Sequence, residues 1–267
     1  MVKDKTISLV NLIGLSLGFT CAIILTSWVL YETSYDKHIP GGDKIYRITL
    51  EGNINGEFVN STQTIAGIGP ELKKDFPEVD NYVRLINNYK DCIIKLEGKE
   101  TFRESGYAAD STFFDIFPYK AIYGNLTTSL SKKNQIVIDQ YLSEKCFGKK
   151  DPVGQIIQVD NQKYNVAAVM ENIPSHSHLK FHFLIPFINV DWIVQNPWGG
   201  DNAITFLKLN RTDNIGALES KITEMVYTRQ SLWKDLKIDF RLQPLYDIYL
   251  SQYNFDYSSE TGSKKNI

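Results

Sequence analysis

Three of the chain's four histidines fall in the run Ser175-His176-Ser177-His178-Leu179-Lys180-Phe181-His182, all at even positions. On a strand such positions share a face, and imidazoles gathered there are the donors of a tetrahedral metal site. Pro174 and the serines instead make the first half a loop, Lys180 sits on the same face, and no Asp, Glu or Cys stands close by to complete a site. A polar loop leading into a strand is the better reading, and no metal is expected. The phosphate-cradling pattern GxxxxGK[ST] has no match, since Gly98-Lys99 runs into Glu100. GxSxG, HExxH, CxxC and calcium-loop spacings are missing too. With no local constellation fitting a catalytic template, the chain reads as a non-enzyme with no catalytic residue and no cofactor of its own. The loop Asn196-Pro197-Trp198-Gly199-Gly200 offers either an exposed aromatic or, better suited to its bulk, a Trp folded over a core edge.

Composition narrows the classes further. Twenty-nine basic against 31 acidic residues leave a net charge of −2, without the basic field that holds nucleic acid. A hydrophobic content of 43%, with 14 Phe and 15 Tyr, is enough for well-packed cores. Three cysteines, one of them Cys21 in the first apolar stretch, are not a disulfide framework. Cys92 falls in a strand-like run and Cys146 in a helix-like one, which favours two buried free thiols over a bridge.

Residues 7–31 hold no charged side chain and are long enough to cross a hydrocarbon core of about 30 Å as a helix. That is too long for a cleavable signal. Cys21 lacks the small-residue context of a lipid attachment site. Lys3 and Lys5 before the span, against Glu32 and Asp36 after it, put the N-terminus in the cytoplasm and the bulk of the chain outside. Asn11, Gly14, Gly18 and Ala22 recur at spacings of three and four, forming one stripe with a GxxxG at its centre. Such a stripe packs against other membrane helices, and a buried Asn in lipid needs a neighbour to satisfy it. No later segment is apolar enough to span.

The remainder reads as α+β. The membrane helix is expected to continue through residues 32–38 until Pro40-Gly41-Gly42 stops it. Residues 44–51 alternate as a strand, with a hairpin at Asn55-Gly56. A short helix opens at Gly69-Pro70 and closes at Phe76-Pro77. Strands are expected at 82–86, 93–96 and 105–109. Asp110 is the expected N-cap of a short helix through Phe113, Phe114 and Phe117. The strand 135–138 leads to Asp139 as cap of the helix 140–147, which Gly148 ends. Residues 155–159 and 164–170 form a hairpin around Asp160-Asn161. A strand 203–209, a helix 215–232 and a strand 238–242 close the domain, and the polar tail from 253 reads as a linker.

The order of these pieces carries a resemblance. The chain resembles the N-terminal part of FtsX-like ABC transporter permeases that carry a MacB-like periplasmic core domain. The likeness begins with the span Ile7-Ser-Leu-Val-Asn-Leu-Ile-Gly-Leu-Ser-Leu-Gly18, Tyr35-Asp36-Lys37 and Asp43-Lys44-Ile45-Tyr46-Arg47. It continues in Ala109-Asp110, Phe113-Phe114, Ile136-Val137-Ile138 and Phe147-Gly148-Lys149-Lys150-Asp151-Pro152-Val153-Gly154-Gln155. It closes with Ile173-Pro174-Ser175, Ser177-His178-Leu179-Lys180-Phe181, Leu242-Gln243-Pro244-Leu245 and Asp247-Ile248-Tyr249-Leu250.

The resemblance implies a transmembrane helix and stalk over residues 1–38 and a periplasmic core domain over 39–252. That domain would have a βαβ-type subdomain (39–114 plus 191–252) with an inserted second subdomain (115–190). Residues 253–267 would lead towards a second membrane helix. It further implies a bacterial inner-membrane permease that binds a separate ATPase chain, which holds the ATP. A second permease copy, a homodimer partner or paralogue, and a periplasmic or outer-membrane partner would join it. ATP-driven motion would reach the outer domain through the stalk as mechanical work or export. His178 falls on the family's pattern, whereas His176 and His182 do not. The alternative is a single-span sensory receptor with a ligand-binding outer domain, for which the orientation leaves only the few residues before the span to signal inside.

Overall fold

The computed structural model describes residues 2–253 apart from 55, 99 and 252, so the tail expected as a linker lies almost wholly outside the described residues. The apolar span forms α1 (Val2–Glu32). Its stretch Ile7–Glu32 has a mean hydropathy of 2.1 and none of it is buried against the rest of the chain. Leu17 and Ile23 are 64% and 65% exposed, which only a lipid or helical surround makes tolerable. Two hydroxyls on this helix turn inward to their own backbone, Ser16 Oγ donating to Leu12 O at 2.7 Å and Thr20 Oγ1 to Ser16 O at 2.8 Å.

The domain begins with a 3-10 turn (Gly42–Lys44). Then come β1 (Ile45–Ile54), β2 (Glu57–Ser61), β3 (Thr64–Ile65), α2 (Ile68–Asp75), β4 (Val79–Lys95) and β5 (Phe102–Ala109). The middle of the chain gives α3 (Phe113–Ile116), β6 (Ala121–Gly124), α4 (Leu126–Ser129), β7 (Gln135–Asp139), α5 (Gln140–Phe147), β8 (Ile156–Val159), β9 (Gln162–Met170) and β10 (Phe183–Pro186). The last part gives α6 (Asp191–Gln195), β11 (Asp201–Leu209), α7 (Ile215–Arg229), α8 (Ser231–Asp235) and β12 (Asp239–Pro244). The strands join in one sheet of order β12-β1-β11-β4-β5-β10-β7-β9-β6, with β2 on β1, β3 on β11 and β8 bridging β4 and β9. Pairing is antiparallel except at β5–β10 and β7–β9.

Short continuous apolar runs build the middle of this sheet because it is buried on both faces. In β7, Val137 enters one core cluster while Ile136 and Ile138 enter another; in β10, Leu184 and its neighbours Phe183 and Ile185 divide in the same way. At the other end, Leu218, Ile222 and Val226 make one stripe of α7 and pack with Ile68 and Leu72 of α2 over Ile48, Leu207 and Phe240.

The hairpin β1–β2 pairs Ile54 with Glu57, with Gly56 at φ 88°, and Asp139 caps α5 by accepting from Leu142 N at 2.8 Å. Cys92 and Cys146 are buried, and neither is in a disulfide. Burial, reinforced by Asp160, pushes the Cys92 thiol up to about 12.

Four expectations change. The strands at 82–86 and 93–96 are one strand, β4, whose register shifts between Ile86 and Tyr89 and again before Cys92. These irregularities bend a single strand so that it serves β11 at one end and β8 at the other. The helix expected over 215–232 breaks at Gln230, which is extended (φ −144°, ψ 102°) and donates its side-chain amide to Trp198 O while accepting from Trp233 Nε1. Asp110 does not cap α3 with its carboxylate, because Arg84 claims both oxygens. Finally, α1 stops at Glu32, and residues 33–38 leave it as turns.

Candidate functional site

The place where a membrane helix meets its domain decides whether motion in one is felt by the other. Here Thr33 and Ser34 fold back on α1: Thr33 Oγ1 donates to Val29 O at 2.8 Å and Ser34 Oγ to Tyr31 O at 2.7 Å, satisfying carbonyls that a helix end leaves open. Tyr35 is buried, stacked on Tyr249 with ring centroids 3.3 Å apart and edge-on to Tyr31 at 5.9 Å. An aromatic series thus runs from the last turns of α1 to the segment after β12. Ile39 then enters the central core beside Leu245 and Ile248, and Gly42 lies so close to Tyr246 that a Cβ there would come within 2.6 Å of the phenol oxygen.

At the centre of this junction is Asp36, fully buried and at φ 59°. Left-handed backbone is costly for most L-residues, but Asp tolerates it when its short side chain is held by hydrogen bonds. Asp36 Oδ1 accepts from Ser177 Oγ and from His178 N, each at 3.1 Å, and Oδ2 lies 2.9 Å from His178 Nδ1. The backbone adds Asp36 N donating to His176 O at 2.9 Å. Burial on its own would raise the Asp36 carboxyl. The His178 charge and the hydrogen bonds from His178 and Ser177 together outweigh it and hold Asp36 below the usual carboxylate range. A buried carboxylate held in this way is costly to strip of a partner.

Next to it, the His38 ring meets His176 edge-on at 5.1 Å. Both His38 ring nitrogens are buried, and among the described residues neither has a hydrogen-bond partner. Burial, with His176 and His178 nearby, lowers the His38 pKa against the opposing pull of Asp36 and Glu171.

The histidine run is therefore split three ways: His178 to Asp36, His176 to His38, and His182 to Asp139, whose Oδ2 is 2.8 Å from His182 Nδ1. Among the described residues no group of three or more His, Cys, Asp or Glu side chains is placed to hold a metal ion. Trp198 is partly buried on the core edge, over Gly67, where a Cβ would stand 2.6 Å from its indole nitrogen. Asn11, Gly14, Gly18 and Ala22 lie along exposed α1, with open space around both glycines.

Sequence reading placed Asp36 as a charge after the span and His178 as a loop residue, each within a stretch that carries the family resemblance, but gave neither a partner. Their pairing joins positions 142 apart, so no local periodicity could reveal it. The same holds for Arg84 and Asp110, a bidentate pair with two contacts of 2.8 Å and the guanidinium 3.8 Å over the Phe187 ring.

A profile of the family described as the MacB-like periplasmic core domain matches residues 8–225. No curated protein matches the chain in sequence. Among solved structures, a domain described as part of a permease protein from Porphyromonas gingivalis superposes with a TM-score of 0.67 at 21% identity, covering 77% of this chain and 92% of that one. The periplasmic region of MacB from Actinobacillus actinomycetemcomitans gives 0.53 at 16% identity, over 78% and 91%. The extracellular domain of the noncanonic ABC-type transporter YknZ from Gram-positive bacteria gives 0.54 at 16% identity, over 74% and 99%. At these identities the likeness shows a shared fold.

Proposed function

Because this chain belongs to the MacB-like periplasmic core domain family, we propose that it is the first membrane helix and outer domain of an ABC transporter permease and that its junction transmits motion between them. The permease sits in the inner membrane with its domain in the periplasm. It works with a separate ATPase chain, which supplies ATP hydrolysis, and with a second permease copy packed on the stripe of Asn11, Gly14, Gly18 and Ala22. The chain itself does no chemistry. Work or export is the output, passed to a periplasmic or outer-membrane partner, and the segment 115–190 is an inserted subdomain on the body formed by 39–114 and 191–252.

The observation that carries this reading is the buried Asp36–His178 pair. A tether serving only as an anchor needs no buried charge, whereas a lever must resist bending where it joins its load. The segment 33–39 is held by a charge pair, a backbone hydrogen bond and a ring stack, so a tilt of α1 reaches the loop at 174–178 and the segment after β12 together. A bistable membrane region driven by nucleotide would then have a stiff output arm.

The test uses the full chain in nanodiscs with its ATPase, spin-labelled at the exposed Leu232 of each copy. The distance between labels should differ between nucleotide-free and vanadate-trapped states, and Asp36→Ala should abolish the difference while ATP turnover persists. An unchanged distance in the wild-type complex would defeat the proposal.

A further inference from the structure

Away from the junction, β5, the start of α5 and the segment 172–182 enclose a cleft of about 650 Å³, within the range of small-ligand sites. Its floor is apolar. Tyr107 and Phe181 are buried there, edge to face at 5.8 Å, with Ile173 partly buried beside them. Tyr141 stands on one wall, 44% exposed, its ring 4.7 Å from that of His182.

Two of the three acids of this cleft, Glu104 and Asp139, are already answered from within. His182 is bracketed by two carboxylates, Nδ1 at 2.8 Å from Asp139 Oδ2 and Nε2 at 3.5 Å from Glu104 Oε2. Lys145 Nζ lies 2.7 Å from the other Glu104 oxygen and donates to the Tyr141 hydroxyl at 3.1 Å. Asp139 also caps α5. Arg103 and Lys90 line the same cleft and are exposed, and among the described residues neither forms an ion pair with a carboxylate. Arg103 Nη1 donates to the backbone oxygen of Asp91 at 2.6 Å, which holds the guanidinium in place without neutralising it. Asn172 Oδ1 accepts from Tyr141 N at 2.8 Å, leaving its NH₂ as a further donor at the rim. Lys180 lines the cleft as well, its Nζ donating to the backbone oxygen of Ser175, and the Asp91 carboxylate is the counterweight to these three cations.

We propose that this cleft binds a small organic anion, a carboxylate or phosphate carried on a flat apolar body. The body lies on Tyr107, Phe181 and Tyr141, and the charge meets Arg103 and Lys90, the guanidinium offering the fork that planar anions prefer. His182 is a positioning residue here. Protonated, it screens Glu104 and Asp139 from the incoming anion; neutral, it leaves Asp139 unscreened and Glu104 with Lys145 alone. The hydrogen bond that His182 donates to Asp139 raises the His182 pKa against the cost of burial, aided by Glu104 and opposed by Lys145. Its charge therefore persists above the ordinary histidine range, and affinity falls as pH rises through that higher value.

The experiment is calorimetric titration of the full chain in nanodiscs, referenced to empty nanodiscs, with phenylacetate, phenyl phosphate and the neutral phenylacetamide. At least one of the two anions should bind, and about tenfold more tightly than the amide, as a charge-assisted hydrogen bond to the guanidinium allows. Arg103→Gln, at an exposed position, should weaken that anion by about tenfold without moving the thermal midpoint. His182→Gln should weaken it and remove the pH dependence. Equal affinity for the amide, an unaffected Arg103→Gln variant, or no heat with either anion would overturn the proposal.

Discussion

Replacing Asp36 by Ala tests the junction most directly. Asp36 and His178 are both about 1% exposed at their side chains, so the change leaves a buried imidazole facing nothing. Removing one member of such a pair costs about 3–5 kcal/mol. Ala must also adopt the left-handed backbone at φ 59° without the side-chain hydrogen bonds that make Asp tolerable there, adding about 1–2 kcal/mol. The sum, about 4–7 kcal/mol, is comparable with the whole stability of a typical domain, about 5–15 kcal/mol. For a chain of this size it corresponds to a fall of about 10 °C or more in thermal midpoint, or to a separate early transition. Hydrogen exchange on the full chain in nanodiscs locates the damage. The amides of Asp36 and His178, which donate to His176 O and to Asp36 Oδ1, should lose protection, while those of β11 and β4 keep theirs. Asp36→Asn, which keeps an acceptor and tolerates the backbone, should fall between the two. The double variant Asp36→Ala with His178→Ala should cost little more than either change alone, because the pair acts as a unit. Unchanged protection at His178 together with a midpoint shifted by less than about 2 °C would refute the reasoning.

Stability should peak near the usual histidine pKa of 6.5. The lowered His38 pKa means that acid loads the unfolded state with a proton first, so stability falls as pH drops below 6.5 towards the folded value. The raised His182 pKa gives stability fully present below 6.5 and lost as pH rises through the folded value. In denaturant titrations across pH, His38→Phe should flatten the acid limb and His182→Gln the alkaline one. Asp110→Asn breaks the pair with Arg84, whose side chains are 12% and 13% exposed, and should cost about 3–5 kcal/mol by chemical denaturation. Gly106→Ala drives a Cβ to 2.4 Å from the Phe183 ring and 2.5 Å from its backbone oxygen. That overpacking should cost about 3 kcal/mol or prevent folding, read as midpoint or soluble yield. Gly14→Leu with Gly18→Leu should reduce crosslinked dimer in membranes while leaving the midpoint of the outer domain unchanged.

The parts of this molecule written in local chemistry were readable in advance. Period and punctuation gave α1, the β1–β2 hairpin and the Asp139-capped α5, because each depends on neighbours within a few positions. Misreadings arose where a distant residue competed. Asp110 was a sound N-cap by type, yet Arg84, on the neighbouring strand, offered a stronger partner than an amide. Gln230 sits inside a helical pattern, but Trp198 and Trp233 take both ends of its side chain. A strand as short as β3 leaves no signal, because two residues carry no period of their own. The contact at the junction was invisible for a related reason: Asp36 and His178 each lie in a stretch that carries the family resemblance, but nothing local joins positions 142 apart.

The long strand β4 has a mechanical meaning. It pairs with β11 through residues 79–85 and with β5 and β8 up to residues 94 and 95, so it is shared by both halves of the sheet. Two lobes joined only by loops could swing apart like doors, but lobes sharing a beam can move only by twisting it. The stretch from Ile86 to Cys92, where the register slips twice, is where such torsion would concentrate.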